Sequence, residues 1–223
     1  MYCLFSIGAN CRAEANGTYH FRTEIGRDTA DAFLRVVASE PNRVKWLIVD
    51  SIGGDVEPAI EMANAMHQHG ISIYVEGLCA SSCANYLFPA ARWKVLGPDA
   101  IVGWHGSPAS ERVEGIENLS AEERAGFDAL RRRLIRAERQ LFSRIRVDRS
   151  LLCVGDKTIA KENALGWTMP VRSMSMFGLD SVISLGQGRP IATQLRGRKE
   201  PIVVIAPQLG CERSYEPLRP TPY

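Results

Sequence analysis

No run of apolar residues in this chain approaches the roughly 18 needed to cross a bilayer, so the sequence offers no transmembrane helix. It has no Gly-x-x-x-x-Gly-Lys-Ser/Thr loop either. A nucleoside triphosphate therefore finds no phosphate cradle of that kind. There is no Cys-x-x-Cys pair, and the cysteines, Cys3, Cys11, Cys79, Cys83, Cys153 and Cys211, are too scattered for a small disulfide scaffold. Neither a metal nor a cofactor is expected. An excess of one charge is also lacking: the formal net charge is +2, with 45% hydrophobic and 23% charged residues. That is the composition of one ordinary domain with a usable core, followed by a tail.

What is present alternates between strand and helix periodicity. Asn16-Gly17 is a turn signal, Thr18 to Ile25 alternates like a half-buried strand, and Gly26 ends it. Asp28 is the expected cap of a helix from Thr29 to Ser39 that puts Ala32, Phe33, Val36 and Val37 on one face, and Pro41 blocks its continuation. Val44 to Val49 predicts a strand, Val56 to Gln68 a helix closing near Gly70, and Ile71 to Glu76 a strand that runs into a sharp turn at Gly77. Short strands are expected over Trp93 to Leu96 and Ile101 to His105. This order predicts an α/β domain with right-handed crossovers, placed at residues 18–185. Residues 1–17 are read as a separate segment, either the remnant of a signal peptide or an N-terminal strand. Residues 186–223 form a Pro- and Gly-rich tail in which Pro201 to Ile205 is the only strand candidate, with disorder expected from about residue 210.

Between these lies a long helix, opened by the capping box Ser120-Ala121-Glu122-Glu123 and running to about Ser143. From Glu122 to Arg149 it carries nine arginines against five acids, with Phe127, Leu130, Leu134, Ala137 and Leu141 in an apolar stripe. The interspersed acids and the lack of an aromatic stacking platform argue against a nucleic-acid face. A subunit contact suits the stripe better, with Glu122, Glu123 and Glu138 pairing with arginines across the seam, so a homo-oligomer is expected. Asp148 to Gly166 reads as a second, shorter helical region, and Met176 to Ile183 as a closing helix-to-strand step.

Three segments carry chemistry. In Gly77-Leu78-Cys79-Ala80-Ser81-Ser82-Cys83-Ala84-Asn85 a serine stands among small residues at the start of an apolar helical run, where backbone N–H groups point outward and the helix dipole favours negative charge. In Asp50-Ser51-Ile52-Gly53-Gly54-Asp55 paired glycines follow a strand and precede a helix, which allows close backbone approach to an oxyanion or serves as an ordinary βα turn. In Ile101-Val102-Gly103-Trp104-His105-Gly106 a short strand ends in a histidine, which is either a base or a structural residue. Cys79 and Cys83 bracket Ser81 closely enough to bridge if the turn is helical; otherwise they are buried thiols packed under the helix.

Taken together, Ser51-Ile52-Gly53-Gly54, Ala80-Ser81-Ser82-Cys83 and His105, 24 residues beyond Ser81, resemble the Clp-type serine peptidases of the ClpP/crotonase superfamily in order and spacing. Phe177-Gly178-Leu179-Asp180 is similar to a closing element of the same fold. The resemblance implies a repeated ββα spiral with a protruding handle helix, and serine-type hydrolysis of a peptide or protein substrate. Ser81 would be nucleophile and His105 base, with the N–H groups of Gly53, Gly54 and Ser82 around the oxyanion. The third member is ambiguous: counted forward from His105 it is Asp156, counted back from Gly178 it falls near Leu165, where no acid stands. Glu162, Asn163 or no residue at all are the alternatives. The bracketing cysteines resemble an exported, periplasmic branch of the family, with a cytoplasmic location as the alternative. Two other functions stay open: a fold of this kind that has lost hydrolysis and serves as a binding scaffold, and a crotonase-type acyl-CoA enzyme.

Overall fold

The computed structural model describes residues 11–109, 116–162, 164–186 and 202–207. Strand β1 (Cys11–Ala13) pairs antiparallel with β2 (Thr18–Phe21), and the remaining pairings of the main sheet are parallel. The order continues through β3 (Trp46–Ser51) and β4 (Ser72–Ala80) to β5 (Lys94–Leu96) and β8 (Val182–Ser184), while β6 (Ile101–Gly103) pairs with the second half of β4. Parallel neighbours need crossovers. Helices α1 (Arg27–Ser39) and α2 (Val56–His69) supply the first two and pack against each other. Phe21, Leu47, Ile73 and Val75 from the strands and Phe33, Met62 and Met66 from the helices are fully buried in one core. Among the described residues no helix is long and apolar enough to cross a membrane.

Several boundaries differ from the sequence expectation for physical reasons. Helix α1 begins at Arg27 with Gly26 as its cap residue. Thr29 Oγ1 accepts the Gly26 N–H (2.9 Å) and donates to the Glu24 carbonyl (3.1 Å), so Asp28 serves the first turn as a dipole-favoured acid instead of a cap. Strand β2 stops at Phe21, and Ile25 instead bridges the glycine turn: its N–H donates to Gly53 O and its carbonyl accepts from Asp55 N–H, both at 2.7 Å. Residues Cys11–Ala13 belong to the sheet, whereas the signal-remnant reading of residues 1–10 lies outside the described residues.

The larger correction concerns Gly77. It is not a turn but lies inside β4, which runs on to Ala80. Between the pairs Val49↔Val75 and Ser51↔Cys79 the register shifts, so β4 carries extra residues there. Asp50 fills the gap in the ladder: its Oδ1 accepts the Leu78 N–H at 2.9 Å and would lie 3.0 Å from any Cβ on Gly77. A side chain at 77 would therefore press on the carboxylate that closes the bulge.

After β6 the long helix α4 (Ala121–Ile145) is capped by Ser120, whose Oγ accepts the Glu123 N–H (3.3 Å) while Glu123 returns to the Ser120 N–H (2.9 Å). Its C-terminal half packs on the domain through Ile135, Leu141 and Phe142, and Arg133 reaches Glu57 on α2 at 3.0 Å. Glu138 does not face a subunit seam. It is completely buried, accepting from Tyr86 Oη (3.0 Å) and from Arg149 (2.9 Å). Of the expected stripe only Leu141 is buried; Phe127, Leu134 and Ala137 are half-buried and Leu130 is exposed. The region expected to be a second helix divides into a 3-10 turn (Arg149–Leu152), the short α5 (Asp156–Glu162) and β7 (Gly166–Thr168). Helix α6 (Val171–Met174) then leads towards β8. The tail is not wholly separate either: β9 (Ile202–Val204) pairs parallel with β7, and Ile205 is buried in the core. The disorder expected from about residue 210 lies outside the described residues.

Candidate active site

Strand β4 delivers Ser81 to the end of the sheet. There the chain reverses at Ser81 itself, which has φ +53, a left-handed conformation that costs a non-glycine residue about 1–2 kcal/mol. Its N–H donates to Gly103 O (3.0 Å) and its carbonyl accepts from Asn85 N–H (2.7 Å), so the residue is fixed to β6 on one side and begins the following helix on the other. That helix opens as a π-helical turn (Cys83–Leu87) and continues into α3 (Phe88–Ala90). A disulfide joins Cys79 to Cys83 across the turn, with both residues fully buried. Cys153 is disulfide-bonded as well.

Strand β6 brings the histidine alongside. His105 Nε2 lies 2.6 Å from Ser81 Oγ. Its backbone is held from several directions. Trp104 exchanges two backbone hydrogen bonds with Trp167 of β7 (2.8 and 2.7 Å) and donates its indole N–H to Ala84 O (3.0 Å). Asn85, itself buried, donates its amide towards the carbonyls of His105 (3.4 Å) and Gly106 (3.2 Å). The role of Asn85 escaped the sequence reading, although an amide in the apolar run Ala84-Asn85-Tyr86-Leu87, four residues after Ser81, was a visible signal.

The glycine turn completes the arrangement. Gly53 has φ +97, and a Cβ on it would stand 2.5 Å from Ala80 O, 2.6 Å from Ser81 Cβ and 2.8 Å from Ser82 N, so only glycine lets the turn sit against the serine. The N–H of Gly53 is directed to Ser51 Oγ at 3.2 Å, which leaves it poorly placed as an oxyanion donor. Gly54 is different. Its carbonyl accepts from Ser82 Oγ (2.6 Å), and among the described residues neither its N–H nor that of Ser82 has an acceptor. Both N–H groups border Ser81, and Gly53 shapes the turn between them.

The cleft beside Ser81 has a volume of about 470 Å³ and is walled by Ile52, Leu78, Ala80, Leu165 and Ile202. Among the described residues none that lines it carries a carboxylate. Asp156 opens α5 and Glu162 closes it, and neither lines the cleft; Asn163 lies outside the described residues. The segment that reaches the histidine is Leu165-Gly166: a Cβ on Gly166 would lie 3.9 Å from that of His105. Among the described residues no group makes a hydrogen bond to Nδ1 of His105. What the described residues assemble is a serine hydroxyl and a histidine ring in contact beside the N–H groups of Gly54 and Ser82. Among the described residues no set of three or more His, Cys, Asp or Glu side chains could hold a metal ion.

No protein-family model and no curated protein matches the chain. The functional reading rests on this geometry and on the sequence motifs.

Proposed function

We propose that the protein hydrolyses peptide bonds through a Ser81–His105 dyad, on a ClpP/crotonase-like fold of repeated ββα units with α4 as its handle. The observation that carries this reading is the 2.6 Å contact between Ser81 Oγ and His105 Nε2 beside a cleft with aliphatic walls. Ser81 Oγ attacks the carbonyl carbon while Nε2 takes its proton, and the negative charge that develops on the carbonyl oxygen is met by the N–H groups of Gly54 and Ser82. The protonated His105 then gives its proton to the departing amine. Water enters, loses a proton to the same nitrogen and attacks the acyl carbon; as the bond to Ser81 Oγ breaks, Nε2 returns that proton to Oγ and the acid is released. A single oxyanion donor is worth about 2.7–4 kcal/mol in such a step, so the turn contributes as much as the base.

In this reading the orienting task of a triad acid falls to the backbone contacts of His105, through Asn85 and Trp167, and Asp156 is dispensable. That none of the described residues lining the cleft carries a carboxylate also favours the second reading, a ClpP-like scaffold without hydrolysis. A crotonase-type site would use carboxylates as acid and base, and the cleft lining offers none. The bridged Cys79 and Cys83 favour an exported, oxidising location over the cytoplasm. A homo-oligomer contacting through Phe127, Leu130 and Leu134 of α4 completes the proposal, with Leu134→Asp expected to lower the mass seen by light scattering. Labelling with a fluorophosphonate probe tests the chemistry. Modification of the unmodified chain but not of Ser81→Ala supports hydrolysis, and no modification of either supports the scaffold.

A further inference from the structure

The wall of the cleft facing β6 comes from a part of the chain far from the serine in sequence. Ile202 opens β9 and pairs in register with Gly166 of β7, whose next residue, Trp167, is bonded to Trp104 beside His105. A continuous backbone path thus fixes Ile202 relative to the catalytic histidine. Its side chain lies over Gly103, where a Cβ would come within 3.1 Å of Ile202 Cδ1, so the glycine leaves the room that the isoleucine fills. The position is anchored further along: Ile205 is buried in the core and its N–H donates to Thr168 O at 2.9 Å. With Ile202 in place the cleft still measures about 470 Å³, so this side chain is a wall and not a plug.

We propose that Ile202 is a specificity residue, setting the size of the uncharged, apolar side chain that the cleft accepts on the acyl side of the scissile bond. Among the described residues the cleft lining has no Asp, Glu, Lys or Arg, and its walls Ile52, Leu78, Leu165 and Ile202 are all aliphatic. Leu78 is buried and formed by the bulged end of β4, whereas Ile202 arrives on a separate strand and is the wall most readily varied in length. The assignment rests on the hydrolase reading of Ser81.

The test separates the two. Product-like peptides, acetyl-Ala-Ala-Xaa with a free carboxylate and Xaa as Ala, Leu or Trp, are titrated calorimetrically into the full-length Ser81→Ala protein, with and without Ile202→Ala, Ile202→Val or Ile202→Phe. Hydrolysis of the matching aminocoumarin amides is followed with Ser81 intact. Shortening Ile202 to Ala should improve binding of the Trp peptide relative to the Leu peptide by about tenfold, the low end of what a few methyl groups are worth in an apolar pocket. Ile202→Val should shift it less in the same direction, and Ile202→Phe should shift preference towards Ala. Should Ile202→Ala release β9 and lose all binding, the Val and Phe variants must still shift in opposite directions. Equal Leu-to-Trp ratios in every folded variant, or binding of no peptide, overturn the proposal. Shifted binding ratios without any turnover uphold Ile202 and overturn the hydrolase reading instead.

Discussion

Replacing Gly53 by alanine puts one methyl group where the structure has no room for it. The added carbon would meet Ala80 O at 2.5 Å, Ser81 Cβ at 2.6 Å and Ser82 N at 2.8 Å. Comfortable carbon contacts begin near 3.5 Å, so about 1 Å of movement is forced, and the atoms in the way belong to the serine turn and not to the ends of flexible side chains. Two effects separate on measurement. Alanine held at φ +97 costs about 1–3 kcal/mol, which lowers the urea midpoint. Displacing Ser81 by about 1 Å breaks its 2.6 Å contact with His105, and misplacement of that size costs on the order of 10² in rate. The assay is the second-order rate of fluorophosphonate labelling of the full-length protein, read beside circular dichroism to show that it is folded. Gly126→Ala is the control: nothing lies within 4 Å of its Cβ position on α4, so it should stabilise the protein by up to about 1 kcal/mol and label normally. A folded Gly53→Ala protein that labels at the unmodified rate would refute the idea that this turn sets the position of Ser81.

Three further outcomes are expected. Mass spectrometry of protein alkylated under denaturing, non-reducing conditions should find Cys79 and Cys83 unmodified, and Cys79→Ala/Cys83→Ala should lose about 2 kcal/mol by the loop-entropy relation for so short a ring; free thiols at both positions, or an unchanged urea midpoint, would count against the clamp. Asp156→Asn should change the labelling rate less than tenfold, because α5 does not line the cleft; a loss near 10⁴ would restore Asp156 as the third member of a triad. Burial pushes the Lys94 ammonium down to about 8, against the opposing charge of Asp180, while the unfolded chain keeps that proton to about 10.4. Between those values the unfolded state binds more protons, so this group makes stability rise with pH from about 8 upward; Lys94→Met should flatten that rise and gain up to about 3 kcal/mol at pH 7, less the bonds lost to Ala91 O and Asp180 O, and an equal slope in both proteins refutes it.

How far the sequence could be read follows from the range of the interactions involved. Helices α1 and α2 and the strands between them were legible because period and punctuation are local, with Gly70 ending α2 at φ +61 as its position implied. Ser81 and His105 were legible as a pair through their order and spacing. The turn was misplaced at Gly77 because a bulge depends on a partner strand: the carboxylate that closes it belongs to Asp50, on β3. The pairing of β9 with β7 is likewise invisible along the chain, since a three-residue strand in a Pro-rich tail has no periodicity to show. Among the backbone donors, motif position alone did not separate Gly53 from Gly54. The difference lies in where Ser51 Oγ stands, 3.2 Å from the Gly53 N–H, and that contact comes from the fold.

Glu138 shows how a nonlocal contact changes the meaning of a whole element. Read along α4 it is one more acid on an Arg-rich helix; in the fold it is fully buried between Tyr86 and Arg149. A buried carboxylate gains from its partners little more than it loses in leaving water, and deleting one partner of such a pair typically costs about 3–5 kcal/mol. The network is thus better understood as fixing geometry than as adding stability. What it fixes is specific: Tyr86 lies on the π-helical turn that starts just after Ser81, so Glu138 ties the C-terminal half of α4 to the segment that follows Ser81. The N-terminal half leaves Phe127, Leu130 and Leu134 incompletely covered. A subunit docking on that half would bear on the segment after Ser81 through α4 and the Glu138–Tyr86 contact, one of several contacts that hold the turn, beside those of Gly53 and Gly54.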